Sequence, residues 1–305
     1  MRKRLPIWIV AVLMLAGGIL CAVRWRAWFV NPEPPTMIGE ATKYRFYCFG
    51  DDSIPGFVRT DMGWQDTIMS GELRLIVLGD NHNRITRTEW EEIYARHENV
   101  DAYIQVGDLM DRMYPYYREQ LVVELKSTPF EHLPLATTPG NHEYTKGLVR
   151  RLSTDWYDMF QNPMNGPLRF QGSSYYVDFP NLRLIMIDTN GLQLLSDFTR
   201  VHTWLRRTIR TAGDRFVIVG MHHPVYSVAK GRWTPLIYLT FHGVLKEADL
   251  VFSGHDHLYH RYQQFVNTGC ADSCYSVVTV DADSLTMATY PIRGNIAIDQ
   301  MTLSR

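Results

Sequence analysis

Five short apolar runs in this chain each lead into a cluster of Asp, Asn or His, so the expected fold is one that brings those ends together. The clusters are Gly79-Asp80-Asn81-His82, Gly107-Asp108-Leu109-Met110-Asp111, Gly140-Asn141-His142-Glu143, Gly220-Met221-His222-His223-Pro224 and Gly254-His255-Asp256-His257. The runs are Leu73 to Leu78, Ala102 to Val106, Leu133 to Ala136, Phe216 to Val219 and Leu250 to Phe252. Runs of this kind read as buried strands. Ligand sites in open α/β sheets lie beyond the carboxyl ends of the strands. The class expected is therefore α/β, with polar loops gathered at one sheet edge.

The residue types point to metal chemistry. Side chains alternate along an extended loop, so Asp80-x-His82 and His255-x-His257 each place two donors on one side. Carboxylate, amide oxygen and imidazole suit Mn, Fe or Zn, and the absence of Cys from the clusters argues against a soft-metal site. A carboxylate between two donor sets can bridge two cations. Two cations about 3.5–4 Å apart clamp a phosphoryl group and lower the pKa of a bound water. Asn141 offers an oxygen to a metal, and His142 next to it can pass a proton to whatever that metal holds.

The intervening chain reads as helices and further strands. Thr88 and Glu91 have capping-box spacing, and Trp90, Ile93, Tyr94 and His97 follow on one helical face. A second helix is expected from Tyr116 to Lys126. Tyr175 to Asp178 and Leu182 to Asp188 read as strands joined at Pro180-Asn181. Phe198, Val201, Trp204, Leu205, Thr208 and Ile209 share a helical face that stops before Gly213. Pro235 to Lys246 reads as helical, and the chain from Tyr275 onward as strands and turns. With 46% hydrophobic residues over 305, there is core enough for one large domain or two small ones. Basic and acidic residues number 31 and 32, so nothing recommends nucleic acid as a partner.

The N-terminus is a separate element. Arg2, Lys3 and Arg4 precede an uncharged apolar stretch from Leu5 to Val23. A membrane-crossing helix needs about 20 such residues, whereas a secretory core is about 7–15. No small-residue cleavage site follows, and Arg24-Trp25-Arg26-Ala27-Trp28 suits a membrane interface. Residues 1–30 are read as a single-pass signal anchor, 31–70 as linker and lead-in, and 71–305 as the catalytic domain. That domain is expected outside the cytoplasm, whether periplasmic, luminal or at the cell surface. Cys270 and Cys274 are spaced for a small disulfide loop or for two thiols.

Taken in order, the five clusters resemble the calcineurin-like metallophosphoesterase superfamily, over roughly residues 73 to 262. The resemblance implies two packed mixed β-sheets flanked by helices, a four-layer sandwich. It implies one metal held by Asp80, His82, Asp108 and His257. The second would be held by Asp108, Asn141, His222 and His255, with His142 acting on the leaving group. Trp204-Leu205, the stretch from His222 to Ser227 and that from Ala248 to Arg261 are similar to the purple acid phosphatase branch. That branch has a metal-bound tyrosine where this chain has Asp111, and it generally lacks His82. Iron–phenolate chemistry and acid phosphatase specificity are therefore not implied.

The remaining polar residues have plainer readings. Asp111 is read as a supporting carboxylate rather than a ligand. His223 either contacts substrate or orients His222. Glu143 and Asp256 are read as structural, Asn81 and Asn83 as turn formers, and His260 and Arg261 as parts of a solvated loop, with lining of the pocket as the alternative. His97, His132 and His202 are read as surface or core histidines.

The function expected is a membrane-anchored dinuclear-metal phosphoesterase acting on phosphate mono- or diesters. A metal-bridging hydroxide would attack phosphorus, with His142 protonating the departing alkoxide. Lipid-linked phosphates, nucleotides, phosphoproteins and cell-surface phosphodiesters are all compatible substrates. Two alternatives stand beside it. One is a non-catalytic binding or scaffold protein on the same fold. The other is a nuclease, against which the balanced charge counts.

Overall fold

A computed structural model describes residues 44–50, 57–60, 63–66 and 72–305, apart from 98, 148, 230, 233, 271 and 272. Strand β3, Leu73–Leu78, shows how the layers arise. Successive side chains of a strand point to opposite faces. Leu75 and Val77 accordingly enter one apolar cluster, while Ile76 and Leu78 enter another. With both faces covered, the run needs no polar alternation, which is why it reads as continuously apolar.

Two mixed sheets build the domain. One has six strands, in the order β14 (Asp299–Ser304), β13 (Ser284–Pro291), β12 (Cys274–Val280), β3, β4 (Ala102–Gln105) and β5 (Leu135–Thr137). The other begins with β1 (Phe57–Thr60), β2 (Gly63–Asp66), β6 (Tyr175–Asp178) and β7 (Leu182–Ile187). It continues with β8 (Phe216–Met221), β9 (Leu250–Ser253), β11 (Phe265–Thr268) and β10 (Tyr259–Tyr262). β3, β4 and β5 run parallel, as do β7, β8 and β9. Each parallel set therefore delivers its loops to a single edge.

The core between the sheets includes Leu75, Val77 and Ile104 from one and Leu184, Ile218 and Phe252 from the other. Helices α1 (Arg87–Ala95) and α2 (Pro115–Leu125) cover the outer face of the six-stranded sheet through Trp90, Ile93 and Leu121. The short α3 (Thr154–Met159) adds Trp156 to that layer. Helices α4 (Leu195–Arg210) and α5 (Pro235–Leu245) cover the other sheet through Val201, Leu205 and Phe241. This is the expected sandwich of two sheets flanked by helices.

Several details differ from the sequence reading. The capping box of α1 is Thr86 with Glu89, not Thr88 with Glu91. Thr86 N and Oγ1 donate to Glu89 Oε2 at 3.0 and 2.9 Å. Both pairs have the right spacing. The earlier one forms because Thr86 holds an extended backbone and Arg293 Nη2 fixes Glu89 Oε1 at 3.0 Å. His260 and Arg261 lie on strand β10 rather than in a loop.

Phe46, Cys48 and Phe49 are buried, so residues before 71 contribute to the core. Cys270 and Cys274 carry thiols: Cys274 Sγ donates to the Thr268 carbonyl at 3.0 Å. The expected membrane helix, Leu5 to Val23, lies outside the described residues. Among the described residues, no helix is long and apolar enough to cross a membrane.

Candidate metal centre

The loops after β3, β4 and β5 meet those after β8 and β9 where the edges of the two sheets face each other. Main-chain bonds tie neighbouring loops together. Asp80 N donates to the Gly107 carbonyl at 3.1 Å, His82 N to Asp108 at 3.0 Å, and Gly254 N to His222 at 3.0 Å. Asp80, His82, Asp108, His255 and His257 all have left-handed backbone, with φ between 49° and 71°. That conformation costs a non-glycine residue about 1–2 kcal/mol and concentrates at functional sites. Four of these residues, Asp80, His82, Asp108 and His257, bring their donor atoms within 4.8 Å of one another. Gly254 is needed for the approach, since a Cβ there would lie 2.7 Å from Asp80 Oδ2.

Two donor sets result. In one, His82 Nε2 lies 3.2 Å from His257 Nε2 and 3.7 Å from Asp108 Oδ2, and His257 Nε2 lies 3.5 Å from Asp80 Oδ1. In the other, Asn141 Oδ1 lies 3.0 Å from both His222 Nε2 and His255 Nδ1. His222 Nε2 is in turn 3.4 Å from Asp108 Oδ2. Donors about 2.0–2.2 Å from one cation stand about 3 Å apart when at right angles. Asp80, His82, Asp108 and His257 have donor atoms within 4.8 Å of one another and fit a cation, and Asp108 Oδ2 also faces His222 Nε2 of the second set.

Burial sets the electrostatics. It pushes the Asp108 carboxyl up to about 6 and holds Asp80 well above the carboxylate range, with the Asp108 charge adding to the effect on Asp80. Burial also pushes His82 down to about 2 and His222 and His255 to about 3. A bound cation reverses the first penalty, because it favours ionised carboxylates, and it requires the neutral imidazoles that burial already enforces.

Supporting contacts orient the donors. His222 Nδ1 is 3.1 Å from the Val106 carbonyl, so Nδ1–H donates there and Nε2 faces the cluster. His82 Nδ1 is buried without a hydrogen-bond partner, 3.8 Å from Asp111 Oδ1. Glu143 is structural as expected: its carboxylate accepts Gly140 N at 2.7 Å, Asp108 N at 3.0 Å and Met110 N at 3.2 Å. Asp256 likewise accepts Ser227 Oγ at 2.7 Å and Val228 N at 2.8 Å.

His142 lies next to the first set, and its donor atom comes within 4.8 Å of those of His82 and Asp111. Its Nε2 is 3.9 Å from Asp108 Oδ2, and its Nδ1 is 2.6 Å from the Asp111 carbonyl. Burial, with the Arg112 charge adding, lowers its affinity for a proton. His223 is buried, with Nδ1 2.9 Å from Thr189 Oγ1 and its ring packed 4.6 Å from that of His255.

Four neighbours of the centre are absent from the sequence reading. Arg112 contacts His142 Nδ1, and Arg232 donates to the His255 carbonyl. Thr189 holds His223, and Asn190 Nδ2 donates to the Pro139 carbonyl at 2.9 Å. A signal for the last two was present: Asp188-Thr189-Asn190 ends an apolar run as the five clusters do, at the same sheet edge.

The sequence pattern of calcineurin-like phosphoesterases matches residues 73–259. This is more than half of the chain, and the chain belongs to that family. A curated relative, the glycerophosphodiester phosphodiesterase GpdQ of Enterobacter lignolyticus (strain SCF1), is 25% identical over 175 residues. The match takes in 52% of this chain and 57% of that protein, so it spans little more than half of the relative's length. Among solved structures, GAP50, the anchor in the inner membrane complex of Plasmodium, superposes with a TM-score of 0.58 at 15% identity. That superposition covers 77% of this chain and 89% of GAP50. Purple acid phosphatase PPD1 from yellow lupin (Lupinus luteus) seeds has a TM-score of 0.58 at 14% identity, over 80% of this chain and 56% of that one. At such identities the likeness to solved structures is one of fold.

Proposed function

We propose that this chain is a membrane-anchored, two-metal hydrolase of phosphate mono- or diesters. The observation that carries the reading is the position of Asp108 Oδ2, common to two sets of metal-type donors. Asp80, His82 and His257 would complete one cation site with Asp108, and Asn141, His222 and His255 the other. Mn, Fe and Zn all suit these donors. When bound, such a pair supplies an activated water for in-line attack and neutralises charge on the phosphoryl oxygens.

The protein's own groups do the rest. The Asp111 carbonyl fixes His142 through Nδ1, which directs Nε2 toward the centre as proton donor to the leaving alkoxide. Asp111 is assigned to supporting His82 and His142, and His223 to bracing His255. The inclusion of diesters draws on the named activity of the glycerophosphodiester phosphodiesterase relative, shared over part of its length. The anchor rests on the uncharged run Leu5 to Val23.

The test is a panel of mono- and diesters assayed on the full-length protein, stripped of metal and reloaded with Mn, Fe or Zn. Turnover that requires metal and disappears in Asp108→Ala supports the reading. Metal-loaded protein that hydrolyses no ester would leave the non-catalytic binding role in its place.

A further inference from the structure

We propose that the rim beside the metal centre, formed by residues 144–147, 149–151, 163–170 and the start of α4, docks on an anionic lipid surface. Five large apolar side chains stand out from it, Met164 at 54% and four near the start of α4: Val149, Leu168, Leu194 and Leu195 are 67%, 69%, 56% and 79% exposed. Named bonds make these four neighbours. Arg150 N donates to Gln193 Oε1 at 2.9 Å, and Gln193 Nε2 donates to the Arg150 carbonyl at 2.6 Å. This pair sets Val149 beside the start of α4. Asp197 then accepts Leu194 N at 3.1 Å and Arg169 Nη1 at 3.0 Å, which sets Leu168 beside the same turn. The patch borders the centre, because Thr189 and Asn190, which hold His223 and Pro139, lie just before Leu194.

Exposed apolar side chains gathered in one place mark a binding surface. Charge identifies what it binds. Lys146, Arg150, Arg151, Arg169 and Arg200 are interleaved with the apolar residues. The only acid in residues 144–152, 163–170 and 191–200 is Asp197, which is buried and paired with Arg169. Leucine tips among guanidinium groups, with no exposed carboxylate, suit the boundary between lipid headgroups and acyl chains. The apolar atoms enter that boundary and the cations meet phosphates.

The proposed anchor adds proximity. The span from Val23 to Tyr44 reaches at most about 75 Å when fully extended. The tether keeps the domain near a bilayer, and the patch selects which face turns toward it. That orientation sets the metal centre against headgroups, so a phosphoester carried on a lipid is the substrate class it favours. This last step rests on the phosphoesterase reading, whereas the docking does not.

Hydrogen exchange on the full-length chain tests the docking. Nanodiscs of phosphatidylcholine would be compared with nanodiscs containing phosphatidylglycerol. Amides of residues 146–151 and 191–198 should exchange more slowly on the anionic discs than on the neutral ones. Arg151→Gln should reduce the slowing about fivefold, the worth of one basic group near an anionic surface, and Leu195→Ser should abolish it. Both side chains are exposed, so unchanged melting temperatures would show that the fold is intact. Equal exchange on the two discs would overturn the proposal. So would protection that persists in detergent and tracks a dimer in light scattering, since a second copy would then cover the patch. Exchange needs no turnover, so failure of docking and failure of the phosphoesterase reading are separable.

Discussion

Asp108 Oδ1 accepts the main-chain N–H of His142 at 2.8 Å. That bond commits one carboxylate oxygen to the loop bearing the proposed acid and leaves Oδ2 for both donor sets. The bridging ligand and the proton donor are thereby placed by a single contact. A change at Asp108 should disturb both, whereas a change at the His142 side chain should leave the main-chain bond intact.

The second half of that statement gives a clean test of His142. An alkoxide leaves poorly unless it is protonated in the transition state, whereas a nitrophenolate leaves unaided. His142→Ala should retain its metals and lose about 10²–10⁴-fold in kcat/KM on alkyl phosphates. The loss on an activated aryl ester should be much smaller. Equal losses on the two substrates would reassign His142 to holding phosphate.

Asn190 offers a test of the supporting shell. Its amide donates to the buried Pro139 carbonyl, just ahead of Asn141. Asn190→Ala leaves that acceptor unmet, at a cost of about 1–3 kcal/mol. Urea denaturation should show the loss, and titration should show weaker binding of one metal while the other is little changed. Equal weakening at both sites would mean that Asn190 acts on the whole edge.

Metal uptake should also be linked to protons in a way particular to this site. The His82, His222 and His255 pKa values lie near 2–3, so these rings are already neutral at pH 6 and release nothing. Asp80, held well above the carboxylate range by burial, Asp108, raised to about 6, and Glu143, raised by burial to about 8, hold protons in the metal-free protein that a cation expels. Calorimetry in buffers of different ionisation enthalpy should therefore detect proton release at pH 6 that declines as the pH rises. Metal affinity should fall as the pH is lowered. Metal uptake at pH 6 with no proton release would contradict this picture.

The parts of the centre legible in the sequence are those whose chemistry is local. Asp80, Asp108, Asn141, His222 and His255 each sit one residue, or two for His222, beyond a glycine that follows an apolar run. The same alternation that buried Leu75 and Ile76 in different clusters is what made those runs visible. The parts that were missed act across long separations. Thr189 matters through His223 and Asn190 through Pro139, contacts that exist only once two sheets face each other. Arg112 reaches back to a ring 30 residues away. The helix start was misplaced by two residues because Thr86 and Thr88 both satisfy the capping pattern, and a distant Arg293 helps to decide between them.

Elemental analysis of the reconstituted protein tests the shared carboxylate most directly. The wild type should carry two transition-metal ions per chain. Asp108→Ala should carry none, because both sites lose a ligand, while His82→Ala should keep the ion on the Asn141 side. A single ion per wild-type chain, or one full ion retained by Asp108→Ala, would contradict a centre bridged by Asp108.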